Sequence, residues 1–208
     1  MQVVLVVPSC TEIKPSDAVA HKIYQVPYKP GFAEDTLVRL ELEGEKLQML
    51  FAFSGALTTL CEKSLKSTDL LEELRDFDLI VYDNIAFCGA LLGELLDVPR
   101  VEIMPVPPNT QPFSLYHMIP ASVSYIPQGF TGFSDKMTFV ERAMNVAAFF
   151  GWHLFDLLVF GREMNALKIK YNIKPERSFQ EAVGSAELVL ITADFALEYA
   201  QPLLPGRK

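Results

Sequence analysis

The sequence predicts an α/β fold in which a parallel β-sheet carries helices on both faces. Two observations support this prediction. Apolar runs of strand length alternate with amphipathic patterns of helical period, and residues 76–103 place a strand, a helix and a second strand in one short βαβ unit. The run at residues 79–82 is continuously apolar, which is typical of a parallel strand covered on both sides.

The helix of this βαβ unit is predicted over residues 87–96, where apolar side chains recur at helical spacing. Gly89 and Gly93 lie one turn apart and predict a close approach of the helix to the sheet. Pro99 ends the connection, because the residue before a proline disfavours helical backbone. The next strand is therefore predicted at residues 101–104.

Two polar residues, Asp83 and Asn84, stand between the first strand of the unit and its helix. This position is the carboxyl end of a parallel strand, where open α/β sheets bind their ligands. One interpretation of Asp83 is structural, since a capping carboxylate stabilises a helix start by about 1 kcal/mol. The other is a ligand-facing catalytic group. Spacing alone favours the cap, because strand-to-helix turns commonly end in such a residue.

The remaining elements follow from the same periodicity and boundary signals. Before the βαβ unit these are a strand at 2–7 closed by Pro8, a loop at 11–31 with an extended piece at 22–26, helices at 34–43 and 45–66, and a helix capped by Asp69 and Glu72. After it they are a loop at 105–133, a helix beginning near Lys136 with Ser134 as N-cap, an apolar segment at 143–160, a helix at 162–171, a capping box of Ser178 and Glu181, and a strand at 187–192. One face of the 45–66 helix is traced by Leu47, Leu50, Phe51, Leu57, Leu60 and Cys61.

Composition narrows the class of protein. Half of the 208 residues are apolar, so the chain can bury one core of ordinary size, and we expect one domain. The 18 Lys and Arg against 26 Asp and Glu give a net charge of −8, which disfavours nucleic acid as a partner. We expect Cys10, Cys61 and Cys88 to be buried thiols, because they are odd in number and lack metal-type spacing. No metal site is predicted.

No segment is predicted to cross a membrane or to direct secretion. Met1 leads directly into a strand-like run without a basic leader or cleavage site. The apolar segment at 143–160 is interrupted by Asn145, His153 and Asp156 and is short for a bilayer span, so we expect a core or interface helix. Within it, His153 and Asp156 lie three positions apart on one helix face and are expected to pair.

Several motifs together carry a family resemblance. They are Phe-Asp-Leu-Ile-x-x-Asp at 77–83, Leu-Leu-x-Glu-Leu-Leu-x-Val-Pro at 91–99, Ser-Tyr-Ile-Pro at 124–127, Gly-Phe-Ser-Asp-Lys-Met-Thr-Phe-x-Glu-Arg-x-x-Asn at 132–145, and Asp-x-Ala-Leu-Glu-Tyr at 194–199. In this order they resemble the N-terminal half of the membrane-bound UDP-glycosyltransferases, which include the glucuronosyltransferases and their galactosyl-ceramide-forming relatives. The segment at 124–145 is the most specific of them.

The resemblance implies the Rossmann-like, N-terminal half of a GT-B fold that lacks its first strand. Residues 1–208 then form a partial acceptor-binding domain, with the UDP-sugar-binding domain and the transmembrane helix absent. In the family, the residue matching Asp83 orients a catalytic His on the loop after that first strand. We expect none of the three histidines to supply this base: His21 is expected in an exposed loop, and neither His117 nor His153 matches the family pattern.

The aromatic residues of the 105–133 loop have two interpretations. They either form the wall of an apolar acceptor pocket or pack as a lid over the core. The family resemblance favours the pocket, because this loop contributes to acceptor recognition there. The expected acceptor-binding residues are Phe113, Tyr116, Tyr125 and Phe130.

The implied activity is transfer of a hexosyl group, glucuronosyl in the first instance, from a UDP-sugar to a hydroxyl of a small lipophilic acceptor. The UDP-sugar is a co-substrate, and no cofactor is expected. We expect the 208-residue chain to be inactive alone, and the complete family enzyme to lie on the lumenal side of the endoplasmic reticulum membrane. The alternative is a non-catalytic short isoform that associates with full-length relatives. The acceptor and the sugar are left open by the sequence.

Overall fold

The computed structural model describes residues 3–12, 19–105, 113–129, 131–192, 194 and 198–199, and leaves aside the side chains of residues 33, 34 and 113. The chain divides into two compact units, Met1–Phe77 (unit 1) and Asp78–Lys208 (unit 2). All of the described strands pair in parallel, in one two-stranded and one three-stranded sheet. The predicted α/β class with parallel strands is therefore confirmed.

Unit 1 pairs strand β1 with strand β2 and follows them with helices. The strands are β1 (Val4–Pro8) and β2 (Ala20–Tyr24), with Val4 opposite Ala20. The helical segments are a π-helical stretch (Ala33–Val38), α1 (Arg39–Leu42), α2 (Lys46–Lys66) and α3 (Thr68–Leu74). His21 lies half-buried within β2, so the prediction of a loop histidine is wrong. The extended piece predicted at 22–26 overlaps this strand, which begins two residues earlier and so includes His21.

Two further predictions for unit 1 need correction. Helix α3 has Ser67 as its N-cap with no side-chain capping bond, in place of the predicted box of Asp69 and Glu72. The predicted face of α2 is right for the buried Cys61 but wrong for Leu47 and Phe51, which are 65% and 48% exposed, and the helix also buries small residues such as Ala56. The helix is apolar around much of its circumference, so its period alone does not fix which side faces the core.

Unit 2 contains the βαβ unit and the rest of the chain. Its sheet has the order β3-β4-β5, with β3 (Ile80–Asp83), β4 (Arg100–Met104) and β5 (Leu188–Ile191). The helices are α4 (Cys88–Leu96), α5 (Phe113–Tyr116), α6 (Phe139–Phe155), a π-helical stretch (Asp156–Phe160), α7 (Gly161–Lys170) and α8 (Phe179–Gly184). Each of these strands lies within two residues of its predicted position.

Helix α4 packs against the sheet through its two glycines, as predicted. A Cβ atom at Gly89 would lie 2.3 Å from Cβ of Tyr82 on β3, and one at Gly93 would lie 2.2 Å from Cδ of Arg100 on β4. These distances are below any real carbon–carbon contact, so only glycine allows this helix–sheet separation. This close packing buries Arg100. Its guanidinium donates hydrogen bonds to the carbonyls of Ala90 and Ala182, both at 2.9 Å.

The core of unit 2 is an aromatic cluster beside a buried ion pair. The cluster consists of Phe87, Tyr116, Phe160 and Phe179, whose ring centroids are 5.2–5.9 Å apart. Lys168 on α7 pairs with Glu94 on α4, and both side chains are 1% exposed. Arg177 also approaches Glu94, at 3.1 Å. The ion pair joins α4 to α7, and removing Glu94 would leave the buried charge of Lys168 uncompensated.

One side of the β3-β4-β5 sheet is less covered than predicted. Tyr82 and Glu102 are buried, but Val81 on the opposite side is 54% exposed. Its neighbour across β4 is Leu188, which is exposed as well. The expectation that residues 79–82 are buried on both sides is therefore wrong for Val81. A continuous apolar run is compatible with a strand buried on both sides and with one buried on a single side. It contains no alternation of apolar and polar residues that would distinguish the two.

The long apolar helix also differs from its prediction. It begins at Phe139 with a capping box of Thr138 and Glu141, and the predicted N-cap, Ser134, instead accepts a hydrogen bond from the backbone of Lys136. The helical run Phe139–Lys170 has the length and hydropathy of a membrane-spanning helix, with 17% of its most apolar window buried. Phe150 is 61% exposed, so α6 is not buried on all sides, whereas Phe160 and Lys168 further along the run belong to the core.

Candidate functional site

The carboxyl end of β3 presents Asp83 at the surface. Asp83 is exposed and lies on the same side of the strand as Val81. Its Oδ1 atom accepts a hydrogen bond from the backbone N–H of Ile85 at 2.7 Å, and its carbonyl accepts one from Ala86 at 2.8 Å. Both bonds fix the turn into α4, which begins at Cys88. The N-cap of α4 is Phe87 without a side-chain capping bond, so Asp83 does not cap the helix. It closes the turn before α4, and its exposed carboxylate can accept a further hydrogen bond.

The next residue, Asn84, points to the opposite side and is fully buried. Its backbone N–H donates to the carbonyl of Ile103 at 2.9 Å and extends the β3–β4 pairing by one residue. Within the described residues its carboxamide has no hydrogen-bond partner. Most buried side-chain polar groups have such a partner. Asn84 is therefore an unusual buried polar residue at the strand end, whose side-chain hydrogen bonds do not account for its presence there.

A carboxylate under the sheet connects a tyrosine to a histidine. Glu102 on β4 is fully buried; its Oε2 atom accepts from the hydroxyl of Tyr82 at 2.8 Å, and its Oε1 atom lies 3.0 Å from Nε2 of His117. Burial, together with the Glu102 carboxylate, raises the pKa of Tyr82. The hydroxyl of Tyr82 therefore stays protonated and remains a donor to Glu102 at neutral pH.

Tyr116 is part of the core of unit 2. Its hydroxyl donates to Oδ1 of Asp156, whose other oxygen accepts from Nε2 of Gln180 at 3.1 Å. Burial, with the neighbouring carboxylate, raises the pKa of Tyr116 well above its ordinary value, and burial also raises the pKa of Asp156. Asp156 thus takes its hydrogen bonds from Tyr116 and Gln180, and the predicted partner, the exposed His153, interacts with it electrostatically.

The predicted acceptor-binding residues differ in their surroundings. Tyr116 is buried and bonded as described above, whereas Tyr125 is 40% exposed. The side chain of Phe113 and the whole of Phe130 lie outside the described residues. The two tyrosines therefore differ in environment, Tyr116 in the core of unit 2 and Tyr125 at the surface. Their role in acceptor binding stays a prediction.

The segment around Tyr125 is held by a buried asparagine of α6. The Nδ2 atom of Asn145 donates to the carbonyls of Val123 and Ile126, both at 2.8 Å, and its Oδ1 atom accepts from the backbone N–H of Gln128 at 2.7 Å. Asn145 therefore uses its whole carboxamide to fix the loop. The side chain of Gln128 is buried and, like that of Asn84, has no hydrogen-bond partner in the described chain.

Cysteine and metal chemistry were expected to play no part in the site. Cys61 and Cys88 are each disulfide-bonded, which corrects the expectation of three thiols, and Cys10 is a free cysteine. An odd number of cysteines does not exclude disulfide bonding, so the count was a poor basis for this prediction. Across the parts of the chain that the structure describes, no group of three or more His, Cys, Asp or Glu residues is arranged to hold a metal ion.

Sequence reasoning missed the Glu102–His117 pair, and it placed Asn84 at the strand end without predicting that its carboxamide is buried. A signal for Glu102 was present: it is an acidic residue inside an otherwise apolar strand, and such a residue is buried only with partners. The partners themselves, Tyr82 and His117, lie 20 and 15 residues away along the chain. Spacing within one element carries no information about such pairs.

Comparison with known proteins identifies the family. The sequence model of the family described as UDP-glucoronosyl and UDP-glucosyl transferase matches residues 18–208. The chain therefore belongs to this family, and the resemblance noted in its motifs is confirmed. Its parallel-stranded α/β architecture agrees with the Rossmann-like GT-B fold of the family. No solved structure matches the chain at a significant level.

Several curated relatives are similar to the chain. UDP-glucuronosyltransferase 2C1 of Oryctolagus cuniculus is 28% identical over 204 residues, which cover 91% of this chain and 38% of the relative. UDP-glucuronosyltransferase 2A3 of Homo sapiens is 30% identical, over 73% of this chain and 29% of the relative. UDP-glucuronosyltransferase 1A6 of Mus musculus is 32% identical, over 70% and 27%. The chain thus spans less than two-fifths of the length of these relatives.

Proposed function

We propose that the chain forms the acceptor-binding part of a UDP-glycosyltransferase that transfers a hexosyl group, glucuronosyl in the first instance, to a hydroxyl of a small lipophilic molecule. Family membership supports the class of reaction. The printed names of the relatives, all UDP-glucuronosyltransferases, support the choice of sugar. On the same ground we propose the lumenal side of the endoplasmic reticulum membrane as the location of the complete enzyme.

The observation that carries the proposal is the placement of Asp83. Its carboxylate is exposed at the carboxyl end of a parallel strand, and the N–H of Ile85 fixes its orientation. A carboxylate held in this way can accept a hydrogen bond from an imidazole and stabilise the imidazolium that forms when the ring takes a proton. His117 is already held by Glu102, so we assign the imidazole partner of Asp83 to a residue other than His117.

The proposed reaction is a direct displacement. The imidazole takes the proton of the acceptor hydroxyl, and the oxygen attacks the anomeric carbon of the sugar. The bond from that carbon to the UDP phosphate oxygen breaks, and UDP leaves with the electron pair. Configuration at the anomeric carbon is inverted. Asp83 contributes by orienting the imidazole and by offsetting its positive charge.

The first experiment measures sugar transfer. The 208-residue chain is incubated with UDP-glucuronic acid, UDP-glucose or UDP-galactose and 2-naphthol, and we expect no glycoside to form. Joined to a UDP-sugar-binding domain of the family and preceded by the family's first strand and its His-bearing loop, the same residues should support transfer, and Asp83→Asn should lower kcat by about 100-fold or more with little change in KM. Asp78→Asn, at an exposed acid just before β3, is the matched control. Turnover by the 208-residue chain, or equal effects of the two substitutions, would contradict the proposal.

A second candidate function rests on the exposed side of α6 and the π-helical stretch after it. Phe150, Leu154 and Leu157 recur there at helical spacing, and Leu157 is 57% exposed. An apolar stripe of this kind marks an interaction surface. The alternative proposal is therefore a non-catalytic short form that binds a full-length relative through this stripe.

Co-purification with a full-length UDP-glucuronosyltransferase tests this alternative. Phe150→Asp combined with Leu157→Asp should abolish the association, because it places charges in the apolar stripe. The half-buried Phe149 and Phe155 are left intact, so that packing within unit 2 is not disturbed. Arg162→Glu, at an exposed polar position of α7, is the control and should leave the association unchanged. Retention of the relative by the double variant would eliminate this function.

A further inference from the structure

Residues 117–121 form a short segment between two fixed points of unit 2. On one side, Tyr116 is buried in the aromatic cluster, and its carbonyl lies too close to Gly184 for any Cβ atom to fit between them. On the other side, the carboxamide of Asn145 holds the carbonyl of Val123 at 2.8 Å. The segment is therefore anchored at both ends, and its own contacts decide how firmly it is held against β4.

The segment begins with a strained turn. Met118 has a φ of +54°, in the left-handed region that residues with a Cβ rarely adopt. Its N–H donates to the carbonyl of Leu115 at 3.2 Å, and the N–H of Ile119 donates to that of Ser114 at 2.8 Å, a pattern that helix ends usually form with glycine. Met118 is 63% exposed, so its own side chain does not impose this backbone. The neighbours that hold it are His117 and the buried Ile119.

The imidazole of His117 ties this turn to the sheet. Its side chain is 6% exposed, and its Nε2 atom lies 3.0 Å from Oε1 of the fully buried Glu102. The hydroxyl of Tyr82 donates to the second oxygen of that carboxylate at 2.8 Å. A carboxylate only accepts hydrogen bonds, so Nε2 carries a proton in this contact. A neutral ring and an imidazolium both make this bond, and it is stronger with the imidazolium because both partners are then charged.

The other charged groups near this contact have partners of their own. Arg100, on the same side of β4, is buried and directs its guanidinium to backbone carbonyls of α4 and α8. The exposed Glu187 accepts from the backbone N–H of Arg100 at 2.6 Å. Asp156, on the π-helical stretch, accepts from the tyrosine that precedes His117. Within the described chain, Glu102 is therefore the carboxylate in direct contact with His117.

We propose that His117 and Glu102 form a pH-dependent latch, which holds residues 117–121 against the sheet more firmly when the imidazole carries two protons. As the pH falls, the second proton turns a hydrogen bond from an uncharged ring into an ion pair with a buried carboxylate. As the pH rises, this proton leaves, the contact weakens, and the strain at Met118 favours release of the turn. The latch goes beyond the proposed transferase activity and does not involve Asp83, so failure of either proposal leaves the other intact.

Hydrogen exchange at Ile119 measures the opening of the latch. Its amide N–H is bonded to Ser114 and exchanges when the turn is released. The protection factor, which corrects for the intrinsic pH dependence of exchange, is measured in the 208-residue chain between about pH 5.5 and 8.5, where imidazoles titrate. It should fall by about fivefold or more as the pH rises, the effect of losing the charge on one partner of a buried hydrogen bond. The amide of Gln128, held by Asn145, should keep its protection. A protection factor of Ile119 that is constant or rises with pH would overturn the proposal.

NMR titration identifies the group that controls the opening. The ring signals of His117 report its protonation, and their midpoint should coincide with the midpoint of the change in protection. His153→Gln removes an exposed imidazole from α6 and should leave the change in place. A midpoint that belongs to another group, Asp156 included, would contradict the latch. Loss of the change in His153→Gln would contradict it as well.

Two substitutions distinguish a latch from a purely structural contact. His117→Gln supplies a neutral donor at every pH, so the protection of Ile119 should match that of the parent chain at high pH and no longer vary. Glu102→Gln removes the charge but still accepts from Tyr82, and it should also abolish the variation with pH. Circular dichroism verifies that both variants are folded. A variant that keeps the pH response of the parent chain would refute the latch, and if one variant does not fold, the other and the parent titration decide.

Discussion

The Nε2 atom of His117 lies 3.0 Å from Oε1 of Glu102, and the second oxygen of the same carboxylate accepts from Tyr82. Glu102 is fully buried, so its carboxylate is stabilised by the interactions with these two neighbours and not by water. The three side chains connect β3 and β4 to the segment after α5. This arrangement makes the tyrosine hydroxyl a stabilising group, which the first prediction tests.

Tyr82→Phe should destabilise the protein by about 1–3 kcal/mol, because it leaves one oxygen of a buried carboxylate without its donor. Urea denaturation measures the free energy of unfolding. Tyr125→Phe makes the same chemical change at a side chain that is 40% exposed, and should change stability by less than about 0.5 kcal/mol. Equal losses for the two variants would show that Glu102 does not depend on Tyr82.

Gly89→Ala should destabilise unit 2 by about 1–3 kcal/mol or more, because the new Cβ must displace either α4 or β3. Tyr82 Cβ lies 2.3 Å from the position that this atom would take, and it cannot move without its strand. Gly151→Ala on α6 is the matched control, since nothing lies within 4 Å of its Cβ position. That variant should be neutral or more stable by about 0.5–1 kcal/mol, as alanine favours the helix. A thermal or urea unfolding curve that ranks them in the reverse order would refute this packing.

Asn145→Ala should release the loop around Tyr125. It leaves two carbonyls and the N–H of Gln128 without partners, at a cost of about 3 kcal/mol. Limited proteolysis should then cut within residues 121–134 faster than in the parent chain, and hydrogen exchange should show lost protection at Gln128. Met144→Ala, at the exposed neighbouring position of α6, should leave both measurements unchanged.

Tyr24 should ionise at a higher pH than an exposed tyrosine, and its ionisation should destabilise the protein at alkaline pH. Burial, with a smaller contribution from Cys10, raises its pKa from 10.0 to about 12. Because the folded pKa is raised, the stabilisation is complete below pH 10 and is lost as the pH rises through about 12. Tyrosinate absorbance of the parent chain and of Tyr24→Phe isolates this step. Cys10→Ser should shift the step to lower pH, and a Tyr24-dependent step near pH 10 would contradict the burial of this phenol.

Much of unit 2 was predictable because its signals are local. The apolar runs predicted β3, β4 and β5 to within two residues, and the boundary residues Ser178 and Glu181 predicted the capping box of α8. Gly89 and Gly93 predicted the close helix–sheet contact, because glycines spaced by one turn lie on the same face of the helix. The family, too, was carried by short motifs within single segments.

The sequence by itself determined the parallel α/β class, the position of Asp83 at a strand end and the family to which the chain belongs. Tertiary structure alone decided that Glu102 meets His117, that Val81 and Phe150 face outward, and that a cavity opens beside Cys10. The physical reason is that strand and helix periods fix which residues share a face, whereas the rotation of each element against its neighbours fixes what that face contacts.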